Sequence, residues 1–169
     1  MQPTAALALP LRPPAHRVDP RAVQWWRLQG LVALVVLAGP QLVVWLALGA
    51  SAPFWLLLTT ILTALAAAVY TLVVPPIRYR IHRWEITDEA VYTRSGLVVR
   101  EWRIAPISRV QTVDTEHGPL QQWLTLASVT VTTASARGPV TIHGLAADDA
   151  AELARVLTET TQATPGDAT

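Results

Sequence analysis

The chain contains neither cysteine nor lysine, and one long stretch of it carries no charge at all. Without cysteine, a disulfide framework and a thiolate metal site are both excluded. Every basic side chain is an arginine, and because the net charge is only +1, a strongly basic nucleic-acid surface is not indicated. The uncharged stretch runs from Leu28 to Val74, and the rest of the sequence is organised around it.

This stretch consists of two apolar runs, Leu28–Leu48 and Phe54–Val74, joined by the linker Gly49–Pro53. As a helix, each run would be about 31 Å long, which matches a bilayer hydrocarbon core of about 30 Å. The alternative is a pair of buried helices in a soluble protein, but such helices usually carry a polar stripe, and a 169-residue chain hardly encloses two without one. The sequence therefore predicts a transmembrane helical hairpin over residues 19–76.

Charge and aromatic residues predict how this hairpin lies in the membrane. Arginines flank it on both sides and the linker has none, so the positive-inside rule places both termini in the cytoplasm and the linker outside. Aromatic residues near the ends of the runs are expected to act as interfacial anchors. These are Trp25, Trp26, Trp45, Trp55 and Tyr70.

The remaining segments predict one further domain between two disordered ends. Residues 1–18 are rich in proline and are expected to be a disordered leader, and residues 161–169 a disordered tail. Pro75-Pro76 is expected to end the second helix, after which residues 77–160 show short runs of β-branched and aromatic residues separated by turn signals. Strands are predicted near Tyr79–Thr87, Val91–Ser95, Val98–Ile104, Val110–Thr115, Ser128–Ala134 and Val140–His143, followed by a helix near Ala147–Thr160. This order indicates an α+β fold.

Three segments of this domain carry a family resemblance: Ile104–Val113, Gly118–Leu124 and Ala127–Ala134. In order and spacing they resemble the bacterial pleckstrin-homology-like (PH-like) domains of membrane-anchored YdbS-type proteins. Thr125 departs from the family pattern, which commonly has glycine after the second segment. The resemblance implies an antiparallel β-sandwich or barrel capped by a C-terminal helix. It also implies a location in the bacterial cytoplasmic membrane, a partner with related domains, and a role in envelope stress or resistance to membrane-active compounds.

Two sets of residues are candidates for binding. Arg78, Arg80 and Arg83 follow the hairpin and are candidates for holding anionic lipid headgroups, although charges that only set the topology would have the same pattern. Leu120 and Trp123 lie in a connection and are candidates for contacting a partner protein. In phosphoinositide-binding relatives the headgroup sits by a basic first loop. The corresponding Thr87–Glu89 loop is acidic and would repel phosphate, so we do not assign a headgroup site to it.

No stretch of the sequence predicts catalysis or a cofactor. The four histidines lack metal-ligand spacing, and no nucleophile or phosphate-loop motif is present. Few polar residues lie in the spans, which argues against an intramembrane enzyme or transporter subunit. The leading hypothesis is a non-enzymatic PH-like module that mediates protein interaction or assembly at the inner leaflet, as a homo-oligomer or with a related protein. The alternative is a domain that senses anionic lipids through its juxtamembrane arginines.

Overall fold

The computed structural model describes residues 13–135 and 138–163 of the chain. It contains five α-helices, two short 3-10 helices and seven strands in these residues. The helices are α1 (Arg21–Leu48), α2 (Phe54–Leu72), α3 (Val74–Ile81), α4 (Pro119–Trp123) and α5 (Ala147–Ala163). The strands are β1 (His16–Arg17), β2 (Arg83–Ile86), β3 (Ala90–Ser95), β4 (Glu101–Pro106), β5 (Val110–Glu116), β6 (Leu126–Thr133) and β7 (Val140–Ala146).

The two apolar runs form a pair of adjacent long helices, α1 and α2. Their most apolar windows are not buried inside the protein, whereas the core helix of a soluble protein would be covered. Side chains such as Val35, Leu46 and Leu62 point away from the rest of the chain. Length, composition and this exposure make both helices candidate membrane spans, whose outward side chains would contact lipid tails in a bilayer.

The second membrane helix continues past the point where the sequence predicted its end. After a break at Val73, the chain resumes as α3 and stays helical to Ile81, with Pro75 and Pro76 in its first turn. Proline is tolerated there because the first N–H groups of a helix have no acceptor within it. The predicted strand Tyr79–Thr87 is accordingly wrong in its first half, and β2 begins only at Arg83.

The strands form two antiparallel sheets, one with the order β1-β2-β3-β4 and one with the order β5-β6-β7. Among the described residues the sheets do not pair with each other, so the domain is a sandwich and not a closed barrel. Val91, Val129 and Leu145 lie fully buried between the sheets, and Leu153 and Leu157 of α5 cover the core. The predicted α+β fold with a capping C-terminal helix is confirmed.

The last residues of the predicted disordered leader, 13–18, are ordered. His16–Arg17 pairs with Trp84 and Arg83 of β2, and Val18 is buried together with Ala22 and Trp26. Strand pairing and apolar burial offset the conformational entropy that this segment loses when it becomes ordered. The disorder predicted for residues 1–12 and 164–169 lies outside the described residues, while α5 extends to Ala163, beyond the expected end at Thr160.

Asp19 and Pro20 lie directly before the first residue of α1, Arg21. Pro20 has helical backbone angles, and the Asp19 carboxylate accepts a hydrogen bond of 2.7 Å from the Arg21 N–H. The Arg21 side chain also binds Asp19, which lowers the pKa of that carboxyl from its ordinary value. Arg21 further donates to the Thr125 hydroxyl, so the first span is tied to the sheet domain at its first residue.

Candidate functional site

A cavity of about 450 Å³ lies between the second membrane helix and one edge of the sandwich. We call it the junction cavity. Its helical wall is formed by Tyr70, Val74 and Arg78, and its opposite wall by residues of β3, β4 and β7. The polar residues of that opposite wall include Thr93, Ser95, Glu101, Arg103, Thr141 and His143, and His82 lies between the walls. The cavity therefore joins a membrane span to a polar protein surface.

Arg78 is the charged residue on the helical wall, and α3 holds it half-buried. Its guanidinium lies 4.8 Å from the centre of the Trp26 ring, a cation–π contact. Within the described part of the chain, no carboxylate lies within ion-pair distance of it. A partly desolvated cation without a counterion is the arrangement that an anionic ligand stabilises.

Arg103 supplies the second positive charge of the cavity. It donates a hydrogen bond of 2.7 Å to the Pro139 carbonyl and lies 3.7 Å from the Glu101 carboxylate. These contacts hold its guanidinium between β4 and the beginning of β7. Arg103 is thus partly neutralised by Glu101, which leaves Arg78 as the stronger attraction for an anion.

Two histidines of the cavity stay neutral at neutral pH. Burial lowers the pKa of His82 to about 4, and the charge of Arg78 acts in the same direction. His82 Nδ1–H donates to the Arg78 carbonyl at 2.9 Å, and the ring lies 5.4 Å from that of Trp26. Burial also lowers the pKa of His143. Neither ring adds positive charge, and no group of acidic or histidine side chains in the described residues can hold a metal ion.

The structure separates the three arginines that the sequence grouped as headgroup ligands. Of these three arginines, only Arg78 borders the junction cavity. Arg80, two residues later on the same helix, is exposed on another face. Arg83 lies in β2, where it pairs with Arg17 and donates to the Pro14 carbonyl at 3.4 Å.

The predicted interfacial anchors also divide into two groups. Trp26 is only 1% exposed and packs in the cluster with Val18 and Ala22, so it is not a lipid-facing anchor as expected. Trp25 is partly buried and its ring lies 6.4 Å from that of His143. Both positions precede the lipid-facing part of α1 and are covered by the sheet domain. Trp45, Trp55 and Tyr70 lie on the spans, Trp45 donating to the Thr60 hydroxyl at 3.2 Å.

The predicted partner-binding residues lie on α4, beside the start of α1. Trp123 is 73% exposed, whereas Leu120 is partly covered. Gln121 fixes this short helix because its side chain accepts from the Gly118 N–H at 3.0 Å and donates to the Ser128 hydroxyl at 2.8 Å. The helix thus holds Trp123 in a defined, solvent-facing position.

The spans and the sheet domain together match one family. The sequence pattern of the family described as "Bacterial PH domain" fits residues 22–161. The chain belongs to the bacterial PH domain family. This PH-domain protein is also similar to the transmembrane protein YdbS of Bacillus subtilis strain 168, with 30% identity over 151 residues, which cover 85% of this chain and 88% of that protein. No solved structure gives a significant match.

These comparisons confirm the family that the sequence resembles and agree with the membrane location of its helices. Sequence reasoning did not find the junction cavity of this PH-domain protein. Tyr70 was predicted as an interfacial anchor, and the histidines showed no metal-ligand spacing. Only the folding of β4 and β7 against α3 brings them to Arg78, and no spacing along the chain signals that.

Proposed function

We propose that this bacterial PH-domain protein is a non-enzymatic module that is anchored in the cytoplasmic membrane and binds another PH-domain membrane protein, or a second copy of itself. In this proposal both termini and the sandwich face the cytoplasm. The resemblance to YdbS-type proteins extends the proposal to envelope stress or resistance to membrane-active compounds. The observation that carries it is Trp123, whose ring is 73% exposed.

An exposed tryptophan is a common centre of protein interfaces. Its large ring gains much from leaving water, while a well-supported position lowers the entropy lost on binding. Here the support comes from Gln121, which holds α4 to Ser128 of β6. In the described part of the chain β5 is the end strand of its sheet, so its outer edge adds backbone groups without a strand partner.

Photo-crosslinking from position 123 in native membranes tests this function. A photoreactive phenylalanine analogue replaces Trp123 in one variant and Asp88, on a distant exposed turn, in the control. We expect a discrete product from position 123, with the mass of two copies or of this chain plus another PH-domain protein, and none from position 88. Recovery of monomer alone from both variants would contradict the proposal.

Anionic-lipid binding is the second candidate function, and the junction cavity favours it. Arg78 lies there half-buried without a carboxylate partner in the described residues, next to a membrane span. The phosphate of a lipid headgroup supplies the missing negative charge. An apolar crevice of about 500 Å³ between α1 and α2 begins at the same Tyr70 ring, so lipid tails and headgroup find adjoining surfaces.

The lipid test uses the full chain, because Trp26 and β1 belong to the packing of the sheet domain. Native mass spectrometry compares phosphatidylglycerol retained by the wild type, Arg78→Gln and the exposed control Arg80→Gln. We expect severalfold less retention only for Arg78→Gln. Competition by free glycerol phosphate would indicate recognition of the phosphate group alone. Equal retention by all three proteins would dismiss this function.

A further inference from the structure

The connection between β3 and β4 exposes three consecutive apolar side chains, Leu97, Val98 and Val99, which we call the apolar tip. Val98 is 91% exposed and Val99 71% exposed. The sequence predicted a strand from Val98 onward, but β4 begins only at Glu101. Apolar side chains left outside the core at the end of a hairpin require a nonpolar environment to be stabilised.

Strand direction places the apolar tip on the membrane side of the domain. β2 starts directly after α3 and runs away from the spans, so the Asp88 turn that follows it is distant. β3 pairs antiparallel with β2 and returns toward the spans over six residues, about 20 Å. The apolar tip follows immediately at the end of β3.

A shared cavity confirms this direction. Gly96 and Leu97 border the junction cavity together with Tyr70 and Val74, which belong to the end of the second span nearest the sheet domain. The turn is tight, because Gly96 has a φ of +93° and a Cβ there would overlap the Val99 carbonyl. The valines are therefore presented by a constrained turn beside the membrane helix.

The charges around the apolar tip match a membrane interface. Arg94, Arg100 and Arg103 surround it in sequence, while Glu101 is the single acid among residues 94–103. Apolar side chains rimmed by arginine are the composition of segments that lie in the headgroup region of anionic membranes.

We propose that the apolar tip inserts into the leaflet nearest the sheet domain and forms a third membrane contact beside the two spans. The apolar tip contacts the lipid surface and not another protein, because its residue Leu97 borders the same cavity as Tyr70 and Val74 at the end of the second span. Insertion fixes the tilt of the sandwich over the bilayer and keeps the junction cavity at the depth of the headgroups. The inference depends on the membrane spans but not on which protein or lipid the domain recognises.

Fluorescence in nanodiscs tests the insertion on the full chain. The native sequence has no cysteine, so Val98→Cys and the control Asp88→Cys each accept one environment-sensitive label. In phosphatidylglycerol–phosphatidylcholine nanodiscs, we expect a blue-shifted emission at position 98 and severalfold stronger quenching there by lipids brominated near the glycerol. Equal emission and equal quenching at both positions would overturn the proposal.

Limited proteolysis checks the same point without a label. Trypsin cleaves after Arg100 beside the apolar tip and after Arg109 in the turn that follows the far end of β4. In nanodiscs, V98S/V99S is expected to speed cleavage after Arg100 severalfold and to leave cleavage after Arg109 unchanged. Unchanged cleavage at both arginines would show that the tip does not lie in the bilayer.

Discussion

Gly144 of β7 lies so close to Ala22 of the first span that a Cβ on the glycine would stand 2.7 Å from the Ala22 Cβ. Beside this contact, the Asp19 N–H donates to the Gly144 carbonyl at 2.9 Å. The second sheet therefore packs directly on the beginning of the membrane hairpin. This seam connects the fold of the PH domain to the position of its anchor.

Gly144→Ala is expected to weaken this seam. Gly144 has a φ of +75°, and Gly138 has a nearly equal φ of +77° with nothing within 4 Å of a Cβ among the described residues. In both alanine variants the left-handed backbone conformation lowers the folding stability by about 1–2 kcal/mol. Only Gly144→Ala adds the clash with Ala22, which costs about 1–3 kcal/mol more. Thermal unfolding in detergent measures the difference. Equal losses would contradict the tight seam.

Gly30→Ala is expected to push the two spans apart. A Cβ at this position would lie 2.7 Å from the Thr71 hydroxyl and 2.9 Å from Cδ1 of Tyr70. Small residues allow membrane helices to approach, so the variant should lower the unfolding temperature. Gly39→Ala is the control, since it meets nothing within 4 Å in the described residues. A Gly39 variant as unstable as the Gly30 variant would refute this contact.

Stability is expected to fall as the pH drops from about 6.5 toward 4, through His82. Its pKa is about 4 in the folded protein and about 6.5 in an unfolded chain. In that window the unfolded state binds more protons, so acid favours unfolding, and the stability is complete above about 6.5. His82→Asn retains a donor for the Arg78 carbonyl but cannot titrate, and it should show a smaller loss between pH 7.5 and 5. An identical loss in the variant would exclude His82 as the cause.

Trp26 shows where aromatic position in the sequence misleads. It lies just before an apolar run, where an interfacial residue is expected. However, the folded sheet domain returns to the same place and covers it, together with Val18 and Ala22. Whether a tryptophan at this depth faces lipid or protein depends on packing against residues more than 50 positions away in the chain, here Arg78 and His82.

The spans, the order of the strands and the closing helix were predictable because their patterns are local. Hydrophobic length determines a span, and Ala150, Leu153 and Leu157 repeat with helical spacing and form the buried face of α5. In contrast, the change from helix to strand at His82 was not predictable, and the sequence predicted one continuous strand over Tyr79–Thr87.

Cysteine labelling in intact bacteria tests most directly the central claim, that the hairpin holds the PH domain on the cytoplasmic face. Ala52→Cys lies in the linker between the spans, and Asp88→Cys lies on a distant turn of the domain. We predict that a membrane-impermeant maleimide labels position 52 in intact cells and position 88 only after permeabilisation. Labelling of position 88 but not of position 52 in intact cells would contradict the account.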